Sequence, residues 1–142
     1  MTMARLFSLA LLGTGLAHFG LLGVSFQVPS RLGWREDLVG LRPLNRKMLW
    51  TYAGFTVLTI IAFGLLTLVL RAELVAGDKA ALGVAAFIGC YWLARVCIDG
   101  WFGHDDWPPG RRYLVAHALL LTLFTVFAAT YLGLVAWHLL GE

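Results

Sequence analysis

Four long apolar segments, separated by polar connections, set the limits on what this chain can become. They run from about Arg5 to Phe26, Met48 to Leu70, Ala80 to Phe102 and Tyr113 to Leu140. Each supplies the ~20 residues a helix needs to cross a ~30 Å hydrocarbon core. Lipid offers backbone amides and carbonyls no hydrogen-bond partners, so such segments cross it as α-helices, whose backbone bonds are internal. A transmembrane β-barrel needs alternating stretches of about ten residues, and the sequence contains none.

The composition agrees. Of 142 residues, 60% are hydrophobic and 13% charged, against about 25% charged in a soluble domain, and the mean hydropathy is +0.79. So little charge cannot keep a folded surface in water; lipid must cover most of it. The expected fold is an all-α integral membrane protein: a single domain over residues 1–142, built as a four-transmembrane-helix bundle with a short interfacial helix in the first loop. Met1 to Ala17 has the small-residue look of a secretory leader, but is taken as the start of the first span.

The connections differ in charge. Gln27 to Lys47 carries Arg31, Arg35, Arg42, Arg46 and Lys47, and the third connection adds Arg111 and Arg112. The opposite side carries only Arg5, Arg71 and Lys79. Basic residues gather on the cytoplasmic side of membrane proteins, so the protein is expected in the cell membrane, multi-pass, with the first and third loops cytoplasmic and both termini outside. Trp34, Trp50, Trp101 and Trp107 fall near the same side, as an interfacial aromatic belt does. In the first loop, Ser30 is the expected cap of a surface helix whose Trp34, Leu38 and Leu41 recur at helical spacing. Asn45 is the expected cap of the second span.

Small residues at four-residue spacing let helix backbones approach closely in lipid. Gly13 with Ala17, and Ala81 with Ala85 and Gly89, have that spacing and make the first and third spans the expected tight contacts. Cys90 and Cys97 lie seven residues apart, roughly 10 Å along a helix, too far for a disulfide. They read as small packing hydrophobes.

Polar side chains inside the spans carry the chemistry, because a charge at mid-membrane costs at least ~2.5 kcal/mol on insertion scales and persists only with a partner or a role. The candidates for a cofactor or ligand site are His18 in the first span, Tyr91, Arg95 and Asp99 in the third, and His117 in the fourth. All lie in the half of the membrane nearest the basic loops. Their plainer readings are structural: Arg95 and Asp99 as an i, i+4 ion pair, and the histidines as interhelical hydrogen-bonding residues. His104, Asp105 and Asp106 in the third connection form a candidate metal site, with a solvated turn as the plainer reading.

Four function classes remain, with a transporter the last of them. Small size and the lack of an extramembrane domain put first a non-catalytic subunit or partner-binding component of a membrane complex, joined to another membrane protein or to copies of itself. The second is a redox protein that binds haem b or quinone through the His18, His117, Arg95 and Asp99 cluster, as helical bundles hold cofactors between facing helices. The third is an enzyme acting on a lipid-like substrate, with no catalytic residue identified. Phosphate-binding loops, nucleophile elbows and dinucleotide fingerprints are missing from the sequence. The basic loop is too short and too mixed with acids to bind nucleic acid. The lipid bilayer is the one partner that composition alone requires.

Overall fold

A computed structural model describes residues 2–103 and 110–141 of the chain. Among these residues there is no strand, and four helices are long and apolar enough to cross a membrane. They are α1 (Met3–Ser25), α4 (Pro43–Val69), α6 (Lys79–Phe102) and α7 (Arg111–Leu140). With 23, 27, 24 and 30 residues, each rises about 34 Å or more at 1.5 Å per residue, enough for the hydrocarbon core. The chain is therefore the all-α, multi-pass membrane protein expected from its apolar segments.

Six threonine hydroxyls in the spans are satisfied within their own helices. Thr51, Thr56, Thr59, Thr67, Thr122 and Thr125 each donate to the carbonyl four residues earlier, at 2.6–3.0 Å. A threonine bonded back in this way leaves no unsatisfied group for lipid to meet.

The first loop is helical in pieces rather than as one surface helix. Short helices α2 (Val28–Arg31) and α3 (Trp34–Asp37) are followed by a single 3₁₀ turn, Leu38–Gly40. Gly33, at φ +66°, breaks the run between them, a backbone region that glycine enters at little cost. Ser30 is not the cap: its Oγ donates to the Gln27 carbonyl inside the first piece. Nor does Asn45 cap α4, which begins two residues earlier with Pro43 in its first turn, where the missing proline N–H would be unpaired anyway. The second connection holds a further short helix, α5 (Arg71–Ala76). Gly77 ends it at φ +80°, and Asp78 Oδ1 then caps α6 by accepting from the amides of Ala80 and Ala81, each at 3.0 Å.

The chain divides into two compact units, residues 11–69 and residues 1–10 with 70–142. In the first, α1 and α4 approach closely at glycines. A Cβ on Gly64 would stand 2.9 Å from Phe19 Cε2 and 3.2 Å from the Gly15 carbonyl oxygen, and one on Gly15 would stand 2.7 Å from Leu68 Cδ2. Gly13, by contrast, has nothing within 4 Å of its added Cβ. The close residue of α1 is therefore Gly15, two positions on from the one the four-residue spacing picks out.

In the second unit α6 and α7 pack as an antiparallel pair. Ala81, Ala85, Ile88, Gly89 and Trp92 are buried along α6, and His117, Phe124, Phe127, Ala128, Tyr131 and Leu134 along α7. A Cβ on Gly89 would stand 2.7 Å from Leu132 Cγ, so the small-residue stripe of the third span meets the fourth. Near the far end of the pair, Phe7 stacks on Trp137 with ring centroids 5.2 Å apart.

Candidate functional site

Tyr91, Arg95 and Asp99 occupy successive turns of α6, and the antiparallel register of α7 brings His117 to the last of them. Asp99 lies three residues inside the end of α6 and His117 six residues inside the start of α7. These offsets put them roughly 5 and 9 Å in from their helix ends. Arg95 Nη1 donates to Asp99 Oδ1 at 2.8 Å, and the His117 Nε2–H donates to Asp99 Oδ2. Both carboxylate oxygens are thus held by nitrogen donors, one from the same helix and one from its neighbour.

Burial separates the three members. The side chains of His117 and Asp99 are 6% and 11% exposed, whereas that of Arg95 is 43% exposed. Arg95 also places its guanidinium 5.5 Å from the centroid of Phe124, a distance at which the ring face attracts a cation. Deeper in the unit an aromatic layer closes the network off. Trp92 stacks on Phe124 at 4.9 Å and tilts against Phe127 at 5.1 Å, and Tyr91 meets the Trp92 ring edge-on at 5.3 Å. The arrangement is a charged cluster resting on a floor of aromatic rings.

His18 belongs to the other unit. Its Nδ1 lies 2.7 Å from the Thr14 carbonyl oxygen. A carbonyl can only accept, so Nδ1 carries the proton. The ring is fully buried and sits edge-on to Phe63 at 6.2 Å. Of the sequence candidates, the structure therefore joins Arg95, Asp99 and His117 directly, with Tyr91 on the same helix.

The candidate metal residues His104, Asp105 and Asp106 lie outside the described residues. Among the described residues no three of His, Cys, Asp and Glu come together as a metal site would need. Cys90 and Cys97 are free thiols on the exposed face of α6.

Two features escape the sequence. The first is a pairing: the sequence groups His117 with Arg95 and Asp99, but only the register of the α6–α7 pair sets its ring against the Asp99 carboxylate. The second is His138. Its ring nitrogen Nδ1 would lie 2.7 Å from a Cβ on Gly77, and its Nε2 is buried with no hydrogen-bond partner among the described residues. Nothing in the apolar run around Leu134 to Leu140 marks that position beforehand.

Chemically, the Asp99–His117 pair sets a proton donor and a carboxylate within one hydrogen bond, where little water competes. Such a pair can bind a polar ligand atom, pass a proton to or from it, or act only as a tie between helices. No protein-family model matches the chain, and comparisons with curated proteins and with solved structures find no match either.

Proposed function

We propose that this protein binds the polar head of a small lipid-soluble molecule, a quinone by chemical class, at the Arg95–Asp99–His117 cluster. The observation that supports this reading is the three-residue network itself, two of whose members, one on each of two neighbouring spans, are nearly buried. Ionisable groups at membrane depth are expensive to place and mark ligand or proton pathways. A quinone carbonyl accepts hydrogen bonds, which an arginine or histidine N–H provides, and its reduction takes up protons that a carboxylate–imidazole pair can carry. Trp92 and Phe124, buried beneath the cluster, and the half-buried Tyr91 supply the apolar surroundings that hydrophobic binding sites combine with a few polar groups.

Haem iron is held by a ring nitrogen of a proximal histidine; with the Nε2 of His117 engaged with Asp99, iron would have to take Nδ1, the nitrogen on the other side of the ring. A role as a non-catalytic subunit accounts for the apolar helix faces but makes no use of an ion network inside a span. Under the proposed reading the basic first and third loops face the cytoplasm and the cluster lies in the cytoplasmic half of the membrane.

Solvent extraction of the gently purified protein, followed by chromatography for quinones, tests the reading. Near-stoichiometric quinone in the wild type and its loss in Asp99→Asn are expected. Equal, trace amounts in both proteins, together with a stable co-purifying membrane protein, would replace this reading with the subunit role.

A further inference from the structure

The start of α7 has a second surface that the cluster does not use. Arg111, Arg112, Val115, Ala116 and Leu119 line an open groove of about 560 Å³. At 100° per residue these five positions share one side of the helix, and His117 points the opposite way. All five are exposed whereas His117 is buried, so the groove lies on the outer face of the span. Its floor is aliphatic, with the small Ala116 between Val115 and Leu119, and its rim is two guanidinium groups. Neither arginine pairs with a carboxylate among the described residues.

We propose that this groove is a binding site for a single anionic phospholipid. Arginine takes phosphate oxygens through paired N–H donors, a geometry that lysine lacks. The floor runs from the rim toward the membrane interior, about 12 Å from Arg111 to Leu119 by helical rise, so an acyl chain descends along it while the phosphate stays between the arginines. Two adjacent positive groups with no carboxylate partner among the described residues suit an anionic head group, and the apolar floor suits a chain attached to it. A free phosphate meets only the first requirement and a neutral lipid only the second. Basic sites of this kind at the cytoplasmic ends of transmembrane helices hold acidic lipid head groups.

Native mass spectrometry of the full-length protein, titrated with phosphatidylglycerol or with phosphatidylcholine of the same acyl chains, tests the site. Wild-type protein is expected to bind one phosphatidylglycerol in clear preference to phosphatidylcholine. Arg111→Gln with Arg112→Gln should weaken that binding roughly tenfold or more, given the contribution of each basic side chain near an anionic surface. Leu119→Trp keeps both charges but fills the groove, at a side chain already 66% exposed, and should weaken phosphatidylglycerol binding without creating a preference for phosphatidylcholine. Arg42→Gln with Arg46→Gln removes the same charge from the end of the first loop and the start of α4 and should leave this binding unchanged.

The proposal is overturned if the Arg42 and Arg46 variant loses as much binding as the α7 variant, which would make net charge the cause. It is also overturned if Leu119→Trp binds like wild type while millimolar inorganic phosphate displaces the lipid, which would reduce the site to a phosphate contact. Because the groove faces away from Asp99 and His117, the Asp99→Asn protein should bind phosphatidylglycerol like wild type whether or not it binds quinone.

Discussion

Asp99 accepts from Arg95 within its own helix and from His117 across to the next, and the two contacts differ in worth. The first is an i, i+4 pair with a half-exposed arginine, a type worth about 0.3–0.5 kcal/mol. The second joins two side chains that are almost wholly buried. Hydrogen bonds between membrane helices measure about 0.6 kcal/mol on average and up to ~1.7 kcal/mol. A double-mutant cycle with Asp99→Ala and His117→Ala should therefore give a coupling of about 1–2 kcal/mol in reversible unfolding from mixed micelles. Strictly additive losses would show that the two side chains do not stabilise one another.

At Gly77 two constraints coincide: φ is +80°, and the His138 ring stands 2.7 Å from where a Cβ would be. Gly77→Ala should lower stability by about 2–3 kcal/mol, the left-handed backbone contributing 1–2 of that. Adding His138→Ala removes the clash but not the backbone strain, so the double variant should recover only part of the loss. Full recovery would mean that the backbone conformation costs nothing.

At this scale the sequence is partly legible. Charged residues in an apolar run are visible to anyone counting them, which is how Arg95, Asp99 and His117 come to notice. Their pairing depends on helix register, which no short window of sequence contains. His138 goes unnoticed because a histidine in the last turn of a long apolar helix resembles an interfacial residue until its neighbours are known.

Among the helices, the apolar runs locate all four spans, and the differences lie at their ends. Hydropathy ends where charge begins, but a helix does not. α4 starts at Pro43, ahead of Arg46 and Lys47, and α7 starts at Arg111, because basic side chains extend toward head groups while the backbone keeps its ladder. The opposite error arises in the first loop, where a regular apolar spacing implies one helix and Gly33 breaks it into two. Small-residue spacing identifies Gly89 as a close contact but not its partner, and it selects Gly13 when Gly15 is the residue in contact.

Substitution separates these glycines. Gly89→Ala pushes a methyl group against Leu132, whose backbone nitrogen also stands only 3.2 Å from the new Cβ; a loss of about 1–3 kcal/mol is expected. Gly13→Ala meets open space and should change the thermal midpoint of the detergent-solubilised protein little. Equal sensitivity at both positions would place the close contacts of the spans elsewhere.

For the whole molecule, the alternation of four crossings predicts the first and third loops on one side of the membrane and the second loop on the other. The excess of basic residues in the first and third loops predicts that their side is the cytoplasm. In a background carrying Cys90→Ala and Cys97→Ala, a cysteine at Lys79 should react with a membrane-impermeant maleimide added to intact cells, and one at Lys47 only after lysis. The reverse pattern would invert the topology and place the cluster in the outer half of the bilayer.

The central claim is that a buried carboxylate–imidazole pair in the span serves a ligand rather than merely fastening two helices. Titration with a short-chain quinone, followed by quenching of tryptophan fluorescence, tests it most directly, since Trp92 lies against the Phe124 ring that supports Arg95. Saturable binding by the wild type, weakened about tenfold or more in Asp99→Asn and in His117→Gln by the loss of one or more hydrogen bonds, is the predicted result. Identical titration curves for the three folded proteins would contradict it and leave the network as a structural tie.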